Sequence, residues 1–252
     1  MSISTQAELE GMKAAAEAVA VTLRKMREGA RAGISTKELD EYGRVLLEQF
    51  GARSAPKLTY NFPGWTCISV NGEIAHGIPS EKTILREGDL VNIDVSAELN
   101  GFWADNGGSF ILGDDIQGLS PLVESSKRIL RQAIANIRGG VRIAEIGGLI
   151  EREAKKSGFR VIRNLTGHGV GRSLHEVPHE IPNYYDRFNM SRFRKNSVIA
   201  LETFISTGAS RARTMEDGWT LRAEDGSFVA QHEHTIVVTD DEAMVLTEGN
   251  GI

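Results

Sequence analysis

Two stretches of this chain repeat one another at a nearly constant displacement. Gly33-Ile34-x-x-x-Glu38-Leu39 returns as Gly140-Val141-x-x-x-Glu145-Ile146, and Gly51 returns as Gly158, both displaced by 107 residues. Further on, Arg86-x-x-x-Leu90-Val91-x-Ile93-Asp94 is echoed at a displacement of 108 by Arg194-x-x-x-Val198-Ile199-x-Leu201-Glu202. A helix–Gly signature recurs by chance, but three echoes in register suggest an internal duplication. Such a chain is expected to fold as two pseudo-symmetric halves, roughly residues 1–115 and 116–252. Asp94 and Glu202 would then occupy equivalent places, one in each half. No linker or low-complexity stretch separates the halves. A length of 252 residues, 40% of them hydrophobic, suits one domain with a sizeable core.

Both halves read as two helices followed by strands. Thr5 with Glu8 makes a capping-box signal, after which Leu9, Met12, Ala16, Val19, Leu23 and Met26 recur at helical spacing until Gly29 and Gly33. A second helix opens at Ser35 with Glu38, carries Leu39, Tyr42 and Leu46 on one face, and stops at Gly51. The period then shortens. Residues 66–78 predict a hairpin turning on Asn71-Gly72, and residues 90–110 another turning on Asn100-Gly101. The second half opens a helix at Ser120-Pro121, closed by Gly139-Gly140, and another near 143–158. Strand-like segments follow at 159–165, 197–206 and 219–238, the last interrupted by a turn near Asp225-Gly226.

The hairpin around Asn100-Gly101 brings chemistry with it. A two-residue turn pairs 99 with 102 and so on to 96 with 105, and position 94 shares a face with 96. Asp94 and Asp105 become diagonal neighbours, about 7–8 Å apart at the backbone. Two carboxylates so placed repel unless a cation lies between them or one holds a proton. Asp94 sits inside Leu90-Val91-Asn92-Ile93-Asp94-Val95, which reads as a buried strand rather than a solvated one. Glu202 and Glu233 likewise interrupt apolar strand contexts. Gly167-His168-Gly169-Val170-Gly171-Arg172-Ser173-Leu174-His175 sets two histidines among glycines that permit close backbone approach. No helical pattern follows Gly171, so a nucleotide loop is not expected. His168 and His175 read as a ligand and a catalytic donor, with a core histidine as the plainer alternative for either. Four acids and one imidazole suit divalent ions such as Mn, Fe(II), Co or Zn, and can bridge two of them at roughly 3.5–4 Å.

Composition narrows the field. A formal net charge of −5 supplies no basic field for nucleic acid. Cys67 is the sole cysteine, so no internal disulfide can form and a reducing compartment fits. Neither a signal peptide nor an apolar run of roughly 20 residues is visible, which makes a soluble cytoplasmic protein without a membrane partner the expectation.

These segments together resemble the type I methionine aminopeptidases in their short bacterial style. The resemblance runs from the first helix to Thr239. It is most specific at Ala75-His76-Gly77-Ile78-Pro79, Asn92-Ile93-Asp94-Val95, Gly167-His168-Gly169-Val170-Gly171-Arg172 with His175-Glu176-x-Pro178, and Glu233-His234-Thr235. It implies an α/β (α+β) pita-bread fold, with two pseudo-symmetric halves around a curved antiparallel sheet. It further implies a monomer that removes the initiator Met of nascent polypeptides, at the ribosome among other places, when the second residue is small. Asp105 and Glu233 would bridge two divalent ions, Asp94 would complete one site, and His168 and Glu202 the other. An activated water would attack the first peptide carbonyl with Glu202 as proton shuttle. His175 would donate to the developing oxyanion or the neighbouring carbonyl, and His76 would contact the scissile amide from the other side. Phe62, Cys67 and Trp219 match positions that line a methionine pocket, although Trp219 reads equally well as a core aromatic.

Three positions depart from the family pattern: Asn106 after Asp105, where Thr is common; Thr203 after Glu202, where Pro is common; and Ala75 before His76, often Cys. Two rivals share the fold. X-Pro aminopeptidases and prolidases resemble larger proteins with an added N-terminal domain. Inert peptide-binding relatives lose metal ligands, whereas all five are present here.

Overall fold

The computed structural model describes residues 1–252. The first half contains α1 (Gln6–Gly29), α2 (Thr36–Gln49), β1 (Arg53–Ser54), α3 (Ala55–Tyr60), β2 (Cys67–Val70), β3 (Glu73–Ala75), β4 (Leu90–Leu99) and β5 (Phe102–Ile111). The second contains α4 (Ser120–Ala135), α5 (Ile143–Lys156), β6 (Arg160–Val161), β7 (Thr166–Gly169), β8 (Glu176–Pro182), β9 (Val198–Ser206), β10 (Ala212–Thr214), β11 (Leu221–Ala223), β12 (Val229–Val237) and β13 (Met244–Val245). One antiparallel sheet unites them in the order β1-β4-β5-β12-β9-β7-β8, with β2 also on β4, β6 on β9 and β13 on β12.

The halves meet where β5 pairs with β12, and they mirror each other about that line. β1 lies on β4 through Arg53↔Glu98, and β6 lies on β9 through Arg160↔Ser206. The two pairings are offset by the same 107 and 108 residues that separate the sequence echoes. One face of the sheet is apolar in alternation. In the first half Val91, Ile93 and Val95 bury against Met12, Val19, Leu23 and Met26 of α1. In the second, Ile199, Leu201 and Ile205 bury in one cluster with Ile129 and Leu130 of α4 and Ile146 and Ile150 of α5. Because side chains alternate, the residues between these point to the opposite face. That face carries the acids.

Local sequence determines most element ends. Ser35 and Glu38 make both bonds of a capping box at α2, and the Thr5 hydroxyl accepts the Glu8 N–H at α1. α4 begins at Ser120, but its cap comes from further upstream. The Asp115 carboxylate accepts the N–H groups of Leu119 and Ser120 at 2.7 and 2.8 Å. The helix stops at Ala135, short of Gly139-Gly140. Those glycines instead donate to the carbonyls of Thr239 and Phe193, docking the chain against the end of the sheet.

Two expected hairpins are corrected. Residues 66–78 do turn at Asn71 (φ 54°), and the Ile68 N–H donates across the turn to the Gly77 carbonyl at 3.0 Å, but β2 and β3 form no ladder with each other, β2 pairing with β4 and β3 with β11. The Glu73 carboxylate takes the Val70 N–H at 3.2 Å, in place of a ladder bond. Similarly, residues 219–238 split at Asp225-Gly226, so that β11 joins β10 and β3 in a small second sheet while β12 stays in the large one. Within 159–165 only Arg160–Val161 is strand, and β7 begins at Thr166. No helix is long and apolar enough to cross a membrane.

Candidate metal centre and active-site cleft

The turn at Asn100 and Gly101 has positive φ at both positions, 52° and 82°, as a tight right-twisted hairpin requires. It sets Ser96 opposite Asp105 and Asp94 opposite Gly107, so the two aspartates are diagonal neighbours on one face. Across the sheet, Glu202 of β9 stands directly opposite Glu233 of β12. β7 brings His168 opposite Ala200, two positions from Glu202 on the same strand. Gly167 permits this approach, since a Cβ there would lie 2.6 Å from the Ala200 carbonyl.

Asp105, His168 and Glu233 converge most closely, with ligand atoms all within 4.8 Å of one another. His168 Nε2 lies 3.7 Å from Asp105 Oδ2, while its Nδ1 is 3.0 Å from the Gly169 carbonyl. A carbonyl only accepts, so Nδ1 bears the proton and Nε2 presents a lone pair to the carboxylates, the tautomer a metal ligand needs. Asp105 Oδ1 and Glu233 Oε1 are buried without any hydrogen-bond partner. Asp94 and Glu202 keep a partly open side toward the cleft.

The electrostatics of this cluster are unbalanced. Burial pushes the Asp94 carboxyl from an ordinary 3.8 to about 7, against a lowering hydrogen bond with Asp105. Burial, then the charges of Glu233 and Asp94, hold Asp105 well above the carboxylate range. Glu202 and Glu233 rise for the same reason, burial first and neighbouring acids second. Burial, followed by His175, lowers His168 to about 4 and keeps it neutral. Unpartnered carboxylate oxygens, raised acids and a neutral imidazole are what a divalent cation would satisfy together. The donor set fits such an ion.

Supporting side chains hold the ligands in place. The Thr235 hydroxyl donates to the Asp105 carbonyl at 2.7 Å and accepts its N–H at 3.0 Å. Gln231 Nε2 donates to Glu233 at 3.0 Å, and Gln231 Oε1 accepts from Asn92 at 2.8 Å. Gly107 makes room for that amide, because a Cβ there would fall 2.6 Å from Gln231 Oε1. Gly107→Ala should therefore displace Gln231 and weaken divalent-ion binding about tenfold. Titration of the metal-free variant with Mn(II) against the wild type checks this, and equal affinity refutes it.

Above the cluster opens a cleft of about 410 Å³. His76 and His175 line it together with the four acids and the His168 imidazole. His76 holds φ 55°, an uncommon backbone state for a residue with a side chain, at the exit from β3. Phe62 and Trp219 meet edge to face on the wall, ring centroids 5.2 Å apart. Cys67 is buried opposite Asp94 in the β2–β4 pairing. Trp219 thus lies on the cleft and not within a core cluster.

Several residues of the cleft and of the support behind the ligands were not singled out in the sequence. Tyr60, whose hydroxyl lies 2.6 Å from His175 Nδ1, ends a six-residue helix too short to show a period. His179 also lines the cleft. Gln231 could have been found by counting back two from Glu233 along a buried strand. The three departures turn out to face differently. Asn106 donates to the Val95 carbonyl at 3.0 Å and accepts from Asn250, and Thr203 bonds the Ser126 hydroxyl at 3.1 Å. Only Ala75 lines the cleft.

An acid-and-imidazole cluster on a sheet shared by two mirrored halves defines a class of metallopeptidase. The chain belongs to metallopeptidase family M24, whose pattern it matches over residues 10–240. Within that family it stands among the bacterial-type methionine aminopeptidases. It is 48% identical over 248 residues to methionine aminopeptidase 2 of Bacillus subtilis, covering 98% of this chain and 100% of the relative. The crystal structure of methionine aminopeptidase from Thermotoga maritima superposes with a TM-score of 0.93 at 36% identity, covering 98% and 99% of the two chains. Prolidase from Pyrococcus furiosus shares the fold with a TM-score of 0.77 at 21% identity, this chain spanning 65% of it.

Proposed function

We propose that this chain is a metal-dependent aminopeptidase that removes the initiator Met from new proteins whose second residue is small. The observation that carries the reading is the placement of the Asp105–His168–Glu233 cluster in a cleft walled by Phe62, Cys67 and Trp219. An apolar wall beside the reacting centre suits one thioether side chain, which packs well against sulfur and aromatic edges. Two divalent ions (Co, Mn, Fe(II) or Zn) held there would supply Lewis-acid polarisation and a water of lowered pKa. Asp105 and Glu233 would bridge them, Asp94 would serve one, and His168 and Glu202 the other.

The remaining chemistry belongs to the side chains. Glu202 accepts the proton of the attacking water at its carboxylate and passes it to the departing amine. His175 donates to the carbonyl oxygen as negative charge develops there. His76 holds the scissile amide from the other side, and together the two histidines leave room only for a small second side chain. Residues 1–252 act as one catalytic unit, a monomer in the cytoplasm, meeting nascent chains at the ribosome without using nucleic acid or membrane as substrate.

Incubation of the metal-loaded protein with Met-Ala-Ser should release free Met, and a chelator should stop release. Cleavage confined to X-Pro peptides would assign it to the prolidase-like relatives, and no cleavage at all to an inert binding module. A Met-Arg peptide cut as fast as Met-Ala would overturn the small-residue rule. Phe62→Ala should raise KM for Met-Ala-Ser about tenfold with kcat little changed, since it removes apolar contact present in ground and transition states alike. Steady-state kinetics would show otherwise if kcat alone fell.

A further inference from the structure

His175 reaches the cleft on an exposed loop, and little in its immediate sequence restrains its ring. The Glu176 carboxylate accepts the N–H groups of Arg172 and Ser173 at 2.6 and 2.9 Å, which steadies the backbone of the loop. The ring itself lies against His168, centroids 4.1 Å apart and tilted by 44°. Its one side-chain hydrogen bond is to Tyr60, with 2.6 Å between the phenol oxygen and Nδ1. Tyr60 comes from the other half of the molecule, and its place is set by backbone rather than packing. It is the last residue of α3, which the Ser54 hydroxyl caps. Asn61 then turns the chain in the left-handed conformation at φ 56°, and Phe62 buries immediately afterwards. Tyr60 itself remains 46% exposed at the rim, so burial gives no reason for its inward-facing hydroxyl. The two rings are tilted by 51° at 5.8 Å, a contact made through the hydroxyl and not by stacking.

The role of His175 proposed above requires a protonated nitrogen facing the carbonyl. A neutral imidazole carries one N–H, and the partner of one nitrogen decides which nitrogen bears it. A phenol stays protonated at neutral pH and donates readily, so a donating Tyr60 makes Nδ1 the acceptor and leaves the proton on Nε2. We propose that Tyr60 is a positioning residue, whose hydroxyl donates to His175 Nδ1 and thereby fixes both the ring orientation and the Nε2–H tautomer used for donation to the substrate. This rests on the donor role of His175, but the tautomer can be read without any substrate.

Tyr60→Phe keeps the ring and removes only the hydroxyl. In the zinc-loaded protein at pH 8, nitrogen-15 NMR should show the His175 ring with its proton on Nε2, and Tyr60→Phe should shift it toward a mixture of tautomers. With Met-Ala-Ser, kcat should fall about 10- to 100-fold while KM and bound metal stay within about twofold. The double variant Tyr60→Phe/His175→Ala should be no slower than His175→Ala alone, because Tyr60 acts only through that ring. An unchanged tautomer in Tyr60→Phe overturns the proposal, as does an unchanged kcat or a fully additive double variant. If the wild type fails to cleave Met-Ala-Ser, the aminopeptidase reading falls and the tautomer measurement still decides the place of Tyr60.

Discussion

Asp105→Asn should lower kcat/KM on Met-Ala-Ser by on the order of a thousandfold, or about 4 kcal/mol, while making the metal-free protein more resistant to heat. The two halves of this result have one cause. Asp105 is buried, leaves Oδ1 without a partner, and sits within ligand distance of both His168 and Glu233. With a cation bound as proposed, that carboxylate would be the centre of the site, and an amide of the same shape could not supply its charge. Without a cation it is a buried acid beside two others, pushed upward first by burial and then by Glu233 and Asp94. An amide there removes repulsion and can donate N–H bonds to its acidic neighbours. Relief of each kcal/mol should raise the melting temperature by roughly 2–4 °C in a chain of this size. Kinetics, elemental analysis of bound metal and calorimetry on chelated samples check the three parts. A variant that retains two ions would refute the bridging role, and a metal-free variant that melts lower than the wild type would refute the electrostatic account.

How much of this site could be read from the sequence depended on how local each determinant was. The neighbourhood of Asp94 and Asp105 follows from one two-residue turn, because Asn100-Gly101 determines the register of every pair along the hairpin. The equivalence of Asp94 and Glu202 followed from the echo at 108 residues, which the sheet repeats in the pairing of β1 with β4 and β6 with β9. Partner choice was less legible. Nothing local tells β2 to join β4, or β3 to join β11, since both follow from long-range packing after an ordinary turn. Tyr60 was invisible, and Gln231 legible only through its spacing from Glu233, for a related reason. Each matters through what it touches, His175 and Glu233, and those contacts cross 115 residues in one case and neighbouring positions of a buried strand in the other.

The metal-free protein should lose stability as pH rises through about 7, and divalent ions should offset that loss. Two sets of buried groups act in opposite directions. His168, His232 and His234 are held neutral, at about 4, 3 and 4, chiefly by burial. In the unfolded chain they bind protons below about 6.5, so they favour unfolding at acid pH and fall silent above it. The acids work the other way. The Asp94 carboxyl keeps its proton to about 7 in the fold, against 3.8 when unfolded, and burial likewise raises Asp105, Glu202 and Glu233 well above their ordinary values. Between these limits the folded state binds more protons than the unfolded chain, so stability drops with rising pH; a shift of the size seen at Asp94 is worth roughly 4 kcal/mol. Below about 6.5 the two sets partly cancel, whereas above it the acids remain, joined at the alkaline end by the buried Cys67 thiol, which burial also raises. A divalent ion replaces the protons these acids retain, so its binding releases protons and its stabilising effect grows from pH 6 to pH 8. Melting curves from pH 6 to 9, with chelator and with Mn(II), should diverge toward the alkaline end. Calorimetric titration in buffers of different ionisation enthalpy should count the protons released. Parallel curves, or ion binding without proton release, would mean that the four acids are already ionised in the empty site.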